Sequence, residues 1–318
     1  MSAAEQAEVG GGTGRACICY TIDEGYLLPA LVSAIQARRL VAVAAADVVI
    51  VVLGARGEDS DAAEAVAAEY GVKMIFHDRG AIDGRHIMFA RLYLPTLLSE
   101  QYRRLIYIDG DTQVQGDLSP LLDAPIETGR FLASRDPAAI FASLSERWRR
   151  KVAGEREAVG YHRPYAEYFN SGVLVIDPNT WEPLAKACFD LLDRSPAPTR
   201  YPDQDILNLA IGEQCTLISN RWNFPGFFIG SPAEARTAPR IYHFMSNPRP
   251  WIEPVRPWGA RWAKPYVALI ESHPELEALS PKRDGLRSLR YWLQQEVKII
   301  TEYHPAGRLD EPRPDIVF

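Results

Sequence analysis

Several features that would mark a particular class of protein are scarce or missing in this 318-residue sequence. Its four cysteines form no C-x-x-C pair, so neither a zinc-ribbon site nor a thioredoxin-type redox pair is indicated. No apolar run approaches the ~18 residues of a membrane-spanning helix, and the longest candidate, 40–53, is interrupted by Asp47. A formal net charge of −6 without a local basic stripe argues against a nucleic-acid partner.

Further absences concern the N-terminal part of the chain. Residues 1–15 are small, polar and glycine-rich and lack the apolar centre of a secretory signal, so we expect a flexible tail and a cytoplasmic protein with reduced cysteines. No G-x-G-x-x-G follows the first expected strand, so a dinucleotide-type phosphate loop is not predicted. Cys17 and Cys19 alternate along that strand, and we interpret them as packing residues on opposite faces.

What the sequence contains is an alternation of apolar strands with helices. Strands are predicted at 16–23, 48–54, 72–78 and 131–136, and helices at 27–39, from about 60, at 88–98 and at 140–152. With 47% hydrophobic residues the chain can bury a core. The βαβαβ order is typical of a doubly wound α/β fold with a mostly parallel sheet.

The pair Asp109 and Asp111 follows directly after a β-branched apolar run at 105–108. At the carboxyl end of a strand in such a sheet, both carboxylates should face the crevice in which ligands bind. A divalent cation, Mg²⁺ or Mn²⁺, relieves the repulsion between them and can then hold the phosphates of a nucleotide. Asp-Gly-Asp is also a strong turn signal, and these residues alone leave that alternative open.

Two later segments add polar groups. The first, YFNSGVLVID at 168–177, supplies the Asn170 amide and places Gly172 where a side chain would block something. The second, YPDQDILN at 201–208, opens a helix with Asp203, Gln204 and Asp205. One acid in a first helical turn is favoured by the helix dipole, but two acids and a glutamine exceed what capping requires.

The segment RIYHFMSNPRPW at 240–251 brings His243 and Arg249 close together in sequence. An imidazole can complete a metal site with the Asp-Gly-Asp pair, and an arginine adds a cation beside the same phosphates. Structural roles remain open for these residue types. A lone histidine at a strand end is usually structural, Arg91 within a helix is often paired on the surface, and Asp23 suits a helix N-cap.

Four ordered blocks, IDGDTQVQGDLSPL, YFNSGVLVID, DQDILN and HFMSNPRPW, resemble those of glycosyltransferase family 8. This family comprises retaining nucleotide-sugar transferases, among them bacterial lipopolysaccharide galactosyl- and glucosyltransferases and the glycogenins. The resemblance, which runs from about residue 17 to 251, implies a GT-A fold with a Rossmann-like, mostly parallel central sheet flanked by helices. We therefore expect a transferase domain at 16–255 and a smaller C-terminal helical extension at 256–318.

The resemblance also implies roles for individual residues. Mn²⁺ or Mg²⁺, bridging the two phosphates of a UDP-sugar, is expected to be bound by Asp109, Asp111 and His243. The other residues expected to bind the donor are Asp23 and Tyr26 at the uridine, together with Arg91, Gly110, Asp136, Ser246 and Arg249. The residues expected around the anomeric carbon, as the catalytic group, are Asn170, Asp203, Gln204 and Asp205.

The sequence departs from the family pattern at three positions. Gly25 stands where asparagine is usual, which removes one amide contact to the nucleotide. Ser246 replaces a glycine at the approach to the diphosphate, and Arg249 replaces a lysine. The resemblance implies metal-dependent, retaining transfer of galactose or glucose from a UDP-sugar to a hydroxyl of a saccharide or lipid-linked glycan. Gly25 and Ser246 motivate an alternative, a UDP-sugar-binding protein with little or no transferase activity.

The segment beyond Trp251 predicts one more amphipathic helix with basic and aromatic neighbours. Its apolar residues recur at helical spacing: Leu286, Leu289, Leu293, Val297 and Ile300. Such a helix can rest on the inner face of a membrane, where a lipid-linked acceptor would lie. More often it packs on its own domain or on a partner in a homodimer.

Overall fold

The computed structural model describes residues 14–98, 102–194, 201–280 and 285–308, with side chains for all of these except 285–288. The expected tail at 1–15 therefore lies almost entirely outside the described residues, as do 281–284 and 309–318 of the expected C-terminal extension. Both boundaries remain predictions.

Ten strands form two sheets in the described chain. They are β1 Ala16–Ile22, β2 Ala46–Leu53, β3 Lys73–His77, β4 Arg104–Ile108, β5 Thr112–Val114, β6 Phe131–Arg135, β7 Phe169–Ile176, β8 Cys215–Ile218, β9 Phe224–Pro225 and β10 Ile241–His243. The large sheet has the order β3-β2-β1-β4-β7-β6-β8, and all of its pairings are parallel except those of β7. The predicted mostly parallel α/β sheet is confirmed.

Helices cover both faces of this sheet. They are α1 Leu27–Arg39, α2 Glu58–Glu69, α3 Leu94–Leu97, α4 Ser119–Asp123, α5 Ala138–Leu144, α6 Glu146–Glu157, α7 Pro178–Arg194, α8 Pro202–Ile211, α9 Pro232–Thr237, α10 Ala260–Ser272, α11 Gly285–Lys298 and α12 His304–Ala306. A π-helical turn, Ile299–Tyr303, joins the last two. Among the residues described, none of these helices combines the length and apolarity needed to span a bilayer.

The hydrophobic core lies on the two faces of the large sheet. One cluster joins alternate residues of β1 and β2 to α1, α2 and α10, and the other joins the intervening residues to α3, α7 and α8. Cys17 and Cys19 both belong to the second cluster, so their expected placement on opposite faces is wrong. Residues two apart in a strand point to the same face. Both cysteines are free and buried, in agreement with a packing role.

The prediction of a single helix at 140–152 is wrong. The chain forms α5 and α6 instead, and Ser145 between them is extended, with φ of −163°. Its Oγ accepts a hydrogen bond from the backbone nitrogen of Trp148 at 3.2 Å. Ser145 therefore caps the second helix and breaks the first, which is the preferred position of serine at a helix N-terminus.

The α-helix predicted at 88–98 is mostly a 3₁₀ helix in the structure. Residues Ile87–Tyr93 form a 3₁₀ helix, and only the short α3 follows. Pro95 lacks the N–H that an α-helix would direct at the carbonyl of Arg91. That carbonyl accepts a hydrogen bond from Trp181 Nε1 at 3.3 Å instead. Arg91 is thereby fixed at the edge of the sheet beside the end of β4.

The direction of β7 and the small sheet bring distant segments to one edge. Because β7 runs antiparallel to β4, its first residues meet the end of β4, and the Gly172 carbonyl accepts the Asp109 amide at 2.8 Å. The small sheet has the order β5-β10-β9, in which His243 pairs with Thr112, one residue after Asp111. Three residues far apart in sequence, Asp109, Asp111 and His243, therefore meet at the carboxyl edge of the large sheet.

Candidate active site

Two carboxylates and one imidazole form a cluster at this edge. His243 Nε2 lies 3.0 Å from Asp111 Oδ1 and 3.7 Å from Asp109 Oδ2. One potential ligand atom from each of the three residues can be chosen so that all lie within 4.8 Å of one another. Carboxylate oxygens suit Mg²⁺ and Mn²⁺, and imidazole is a common ligand of the transition metals. The donor set fits a divalent cation of this kind.

A chain of side-chain amides fixes the His243 ring. His243 Nδ1 lies 2.9 Å from Asn223 Oδ1, Asn223 Nδ2 donates to Asn170 Oδ1 at 2.7 Å, and Asn170 Nδ2 donates to Gln204 Oε1 at 2.8 Å. Gln204 Nε2 then donates to the Asp136 carboxylate at 3.0 Å. Because every amide in this chain donates in the same direction, Asn223 Oδ1 accepts a hydrogen bond from His243 Nδ1. This hydrogen bond fixes the ring with Nε2 facing the two carboxylates, and Nε2 is the nitrogen that a metal would bind.

Gly172 keeps the space between β7 and the cluster open. A Cβ atom there would lie 2.4 Å from His243 Cε1, 2.6 Å from His243 Nδ1 and 2.9 Å from Asp109 Oδ2. These distances are far below a van der Waals contact, so any side chain would displace the imidazole or the carboxylate. The expectation that a side chain at 172 would block something is confirmed, and the blocked groups belong to the candidate metal site.

The pKa values of the two aspartates in the cluster are shifted in opposite directions. Burial raises the pKa of the Asp109 carboxyl above its usual range, although Arg91 and His243 act in the opposite sense. Burial also acts on Asp111, but His243 and Arg249 outweigh it and hold the pKa of that carboxyl below its usual range. Arg249 Nη1 lies 2.7 Å from Asp111 Oδ2.

Arg91 connects the cluster with the start of α8. Its guanidinium is buried, donates to Asp109 Oδ1 at 3.0 Å and lies 3.2 Å from Asp203 Oδ2. Asp203 also accepts a hydrogen bond from Ser171 Oγ at 3.0 Å. The two acids raise the pKa of Arg91, although burial alone would lower it. Arg91 is therefore a permanent cation shared by two carboxylates.

Asp136 and Asp205 share a second buried arginine, Arg156 of α6. Its guanidinium lies 3.4 Å from Asp136 Oδ1 and 3.2 Å from Asp205 Oδ1, and its Cζ atom is 3.4 Å from the centre of the Tyr168 ring. Asp205, 2% exposed, also accepts a hydrogen bond from the Tyr168 hydroxyl. Asp205 is thus held behind the site by Arg156 and Tyr168.

Two adjoining cavities open at the cluster. One, of about 440 Å³, contains most of the predicted residues: Arg91, Asp109, Asp111, Asp136, Asn170, Asp203, Gln204, His243, Ser246 and Arg249. The other, of about 370 Å³, is lined by Asp23 and Tyr26 and again by Arg91, Asp109, Gly110 and Asp111. The cluster of Asp109, Asp111 and His243, called the metal cluster below because its donor set fits a divalent cation, lies where the two cavities meet.

Of the sequence-predicted residues, only Asp205 lines neither of these two cavities. Two residues next to the site were not predicted. Asn223 lies in a loop with no distinctive pattern, and its role depends on Asn170 and His243, which are remote in sequence. Arg156 lies in a helix rich in charged residues, where a single buried arginine leaves no signal in the sequence.

Comparison with known proteins agrees with this architecture. The model of glycosyl transferase family 8 matches residues 17–254. General stress protein A of Bacillus subtilis is 26% identical over 224 residues, which cover 62% of this chain and 73% of that protein. The lipopolysaccharide 1,2-glucosyltransferase of Escherichia coli is 26% identical over 138 residues, 43% of this chain and 38% of that protein. The chain spans from 33% to 73% of the curated relatives to which it is similar.

Solved structures share the fold at low sequence identity. Galactosyltransferase LgtC, solved with donor and acceptor sugar analogs, superposes with a TM-score of 0.62 at 21% identity, over 86% of this chain and 99% of that one. The glycosyltransferase GlyE of Streptococcus pneumoniae gives a TM-score of 0.55 at 18% identity, over 86% and 66%. The expected GT-A fold is confirmed. Because the family model covers more than half of the chain, the protein belongs to glycosyltransferase family 8.

Proposed function

We propose that the protein transfers a hexose, glucose or galactose, from a UDP-sugar to an acceptor hydroxyl, with a divalent metal and with retention at the anomeric carbon. The observation that carries this proposal is the cluster of Asp109, Asp111 and His243 at the junction of two cavities. A nucleotide sugar matches this arrangement, because its charged diphosphate lies between a nucleoside and a sugar, as the cluster lies between the two cavities. The named relatives that act on glucose and galactose support the choice of hexose.

In this proposal the smaller cavity receives the uridine beside Asp23 and Tyr26. Tyr26 is 36% exposed, and its ring packs edge-on against Trp251 with centroids 6.0 Å apart. Asp109, Asp111 and His243 would hold Mn²⁺ or Mg²⁺, which would stabilise charge on the departing diphosphate. Arg249, beside Asp111, supplies a second positive charge for the same group.

The donor sugar lies in the larger cavity among the residues of β7 and α8. Asp203 is held by Arg91 and Ser171, and Gln204 by Asn170 and Asp136, so each side chain has a fixed orientation. Fixed polar groups around a reacting carbon act by holding it in a reactive geometry. Asn170, Asp203 and Gln204 therefore position the sugar, while Asp205 supports them through Arg156 and Tyr168.

Retention at the anomeric carbon requires either a covalent intermediate or attack on the same face as the leaving group. A neutral amide such as Gln204 is a weak nucleophile, Asp203 is engaged by Arg91, and Asp205 lies outside both cavities. We therefore favour same-face attack guided by the leaving phosphate. Mass spectrometry of protein quenched during turnover should show no sugar adduct, and an adduct on Gln204 or Asp205 would overturn this mechanism.

Donor turnover tests the proposed reaction. Purified protein with Mn²⁺ is incubated with UDP-glucose or UDP-galactose, and UDP release and the anomer of the freed sugar are followed by NMR. We expect slow hydrolysis of at least one donor with the α-anomer formed first, and none after EDTA treatment. Release of the β-anomer, or hydrolysis that is insensitive to EDTA, would contradict the proposal.

The alternative, a UDP-sugar-binding protein with little or no turnover, is favoured by one observation. The Ser246 hydroxyl, where the family has glycine, is a hydrogen-bond acceptor for Gln295 and belongs to the larger cavity. Metal-dependent binding of UDP-glucose, with neither hydrolysis nor transfer to any of a panel of methyl glycosides and disaccharides, would establish this alternative.

The acceptor and the location are also proposals. The lipopolysaccharide glycosyltransferases among the relatives support a saccharide or lipid-linked glycan as the acceptor. The free cysteines favour a cytoplasmic location. One face of the C-terminal helical region is apolar and exposed: Leu289, Leu293, Val297 and Ile300. Each of these residues is more than half exposed, and we propose a membrane surface or a second copy as the partner of this face. Sedimentation with anionic vesicles and the solution mass distinguish these outcomes.

A further inference from the structure

The segment between His243 and Arg249 is fastened to the C-terminal helix α11 by one buried side chain. Gln295, 1% exposed, donates from Nε2 to Ser246 Oγ at 2.9 Å and to the carbonyl oxygen of Asn247. We call residues 244–249 the donor loop. It joins a residue of the metal cluster to the cation beside Asp111.

The orientation of the Gln295 amide follows from its partners. The Asn247 carbonyl accepts hydrogen bonds only, so the nitrogen of the amide faces the donor loop and the oxygen faces away. Exchanging the two atoms would place two acceptors against each other. Gln295 therefore recognises both a side chain and the backbone of the loop.

The donor loop is also held from its other side. Trp258 Nε1 donates to the Pro248 carbonyl at 3.0 Å, and the Phe244 ring packs edge-on against Trp258 with centroids 5.4 Å apart. Gln295 and Trp258 thus fasten successive residues of the loop to α11 and to the turn that precedes α10. Lys298, one turn after Gln295, lines the larger cavity, so this part of the C-terminal region reaches the candidate active site.

We propose that Gln295 is a positioning residue for the diphosphate end of the donor site, and that it acts through Ser246 and Asn247. This inference rests on the proposed function. Ser246 then has a use that a glycine could not have, because its hydroxyl accepts a hydrogen bond from Gln295 and glycine has no side chain to do so. A loop that is already ordered loses less conformational freedom when the nucleotide binds, which raises affinity.

A double-mutant cycle tests the inference. The affinity for UDP at saturating Mn²⁺ is measured by calorimetry for wild type, Ser246→Ala, Gln295→Leu and the double variant, each below its unfolding temperature. We expect each single substitution to weaken binding about tenfold, and the double variant to be no weaker than Gln295→Leu alone. The matched control is Gln294→Leu, the exposed neighbour on the same helix, which should bind UDP like wild type.

The outcomes separate this inference from the proposed function. If wild type binds UDP with Mn²⁺ and the single variants bind it equally well, or if their effects add in full, the positioning role is wrong and the proposed function stands. If wild type itself does not bind UDP with Mn²⁺, both fall. If Gln295→Leu fails to fold, Gln295→Met takes its place in the cycle, because it also removes the amide that donates to Ser246 and Asn247. A purely structural contact would lower the unfolding temperature and leave the affinity of folded protein unchanged.

Discussion

Arg249 Nη1 lies 2.7 Å from Asp111 Oδ2, on a carboxylate whose other oxygen is 3.0 Å from His243 Nε2. One buried aspartate is therefore held between two nitrogen groups. The family pattern expected from the sequence has lysine at position 249. The guanidinium nevertheless reaches the Asp-Gly-Asp pair and remains next to the place proposed for the diphosphate. The expected contact of Arg249 with the diphosphate stays a prediction.

Replacing Arg249 with methionine should lower stability in a pH-dependent way. The depressed pKa of Asp111 stabilises the folded protein above the ordinary aspartate pKa of about 4, and this stabilisation is lost as the pH falls through the lower folded-state value. Without Arg249 the pKa rises toward its ordinary value. We expect Arg249→Met to be about 1–3 kcal/mol less stable than wild type at pH 7, with a smaller difference below pH 4.

Urea unfolding of both proteins in EDTA, from pH 7 down to the lowest pH at which wild type refolds, measures this difference. Arg256→Met is the matched control, because Arg256 forms an exposed ion pair with Glu296 and its loss should have little effect on stability. A difference between wild type and Arg249→Met that stays constant or grows in acid would contradict the assigned pairing of Asp111.

Gly172→Ala should impair the metal cluster while leaving the fold intact. The added methyl group meets His243 and Asp109 at less than 3 Å, so one of the two must move. We expect Mn²⁺ affinity, measured by calorimetry, to fall about 10–100-fold, as is usual when the support of a ligand is disturbed. Gly154→Ala is the control, because nothing lies within 4 Å of a Cβ at this helical position. It should raise stability by about 0.5–1 kcal/mol. Unchanged Mn²⁺ affinity in Gly172→Ala would refute this packing argument.

Arg156→Met should destabilise the protein strongly, because it leaves Asp136 and Asp205 buried without their shared cation. Loss of one partner from a buried ion pair costs about 3–5 kcal/mol. Arg156→Lys should recover only part of this, since a lysine can neither bridge both acids with two nitrogens nor stack flat on Tyr168. Urea unfolding at pH 7 measures both variants. Arg149→Met, which removes an exposed arginine from the same helix, should change stability by less than about 1 kcal/mol. Equal stability of Arg156→Met and Arg149→Met would show that the buried pairing contributes nothing.

Residues whose role is set by local sequence could be predicted. Asp109 and Asp111 follow a buried strand, and the fold alone places the end of such a strand at a ligand crevice. Gly172 could be recognised as a position where a side chain would interfere, although the groups it spares became evident only in the folded chain. The break at Ser145 had a local signal, because serine is a preferred N-cap residue and here it caps the backbone amide of Trp148. The helical spacing of the apolar residues concealed this signal.

Residues whose role depends on long-range contacts could not be predicted. Asn223 acts through Asn170, 53 residues earlier, and Gln295 acts through Ser246, 49 residues earlier. Neither lies in a pattern that marks it. Asp205 illustrates the reverse case, since its neighbours suggest a place in the site while Arg156 and Tyr168 hold it behind the cavity. Composition and spacing do not encode which side of a helix faces a cavity when both sides carry polar groups.

The most direct test is calorimetric titration of UDP into wild type, Asp111→Ala and Asp123→Ala, each with and without Mn²⁺. Asp123 is the control, because its carboxylate is exposed and remote from the cluster. If the metal cluster holds the diphosphate, UDP binds wild type and Asp123→Ala only when Mn²⁺ is present, and Asp111→Ala shows no binding. Equal binding of UDP without metal, or binding that survives Asp111→Ala, would mean that Asp109 and Asp111 form a turn and not a metal site.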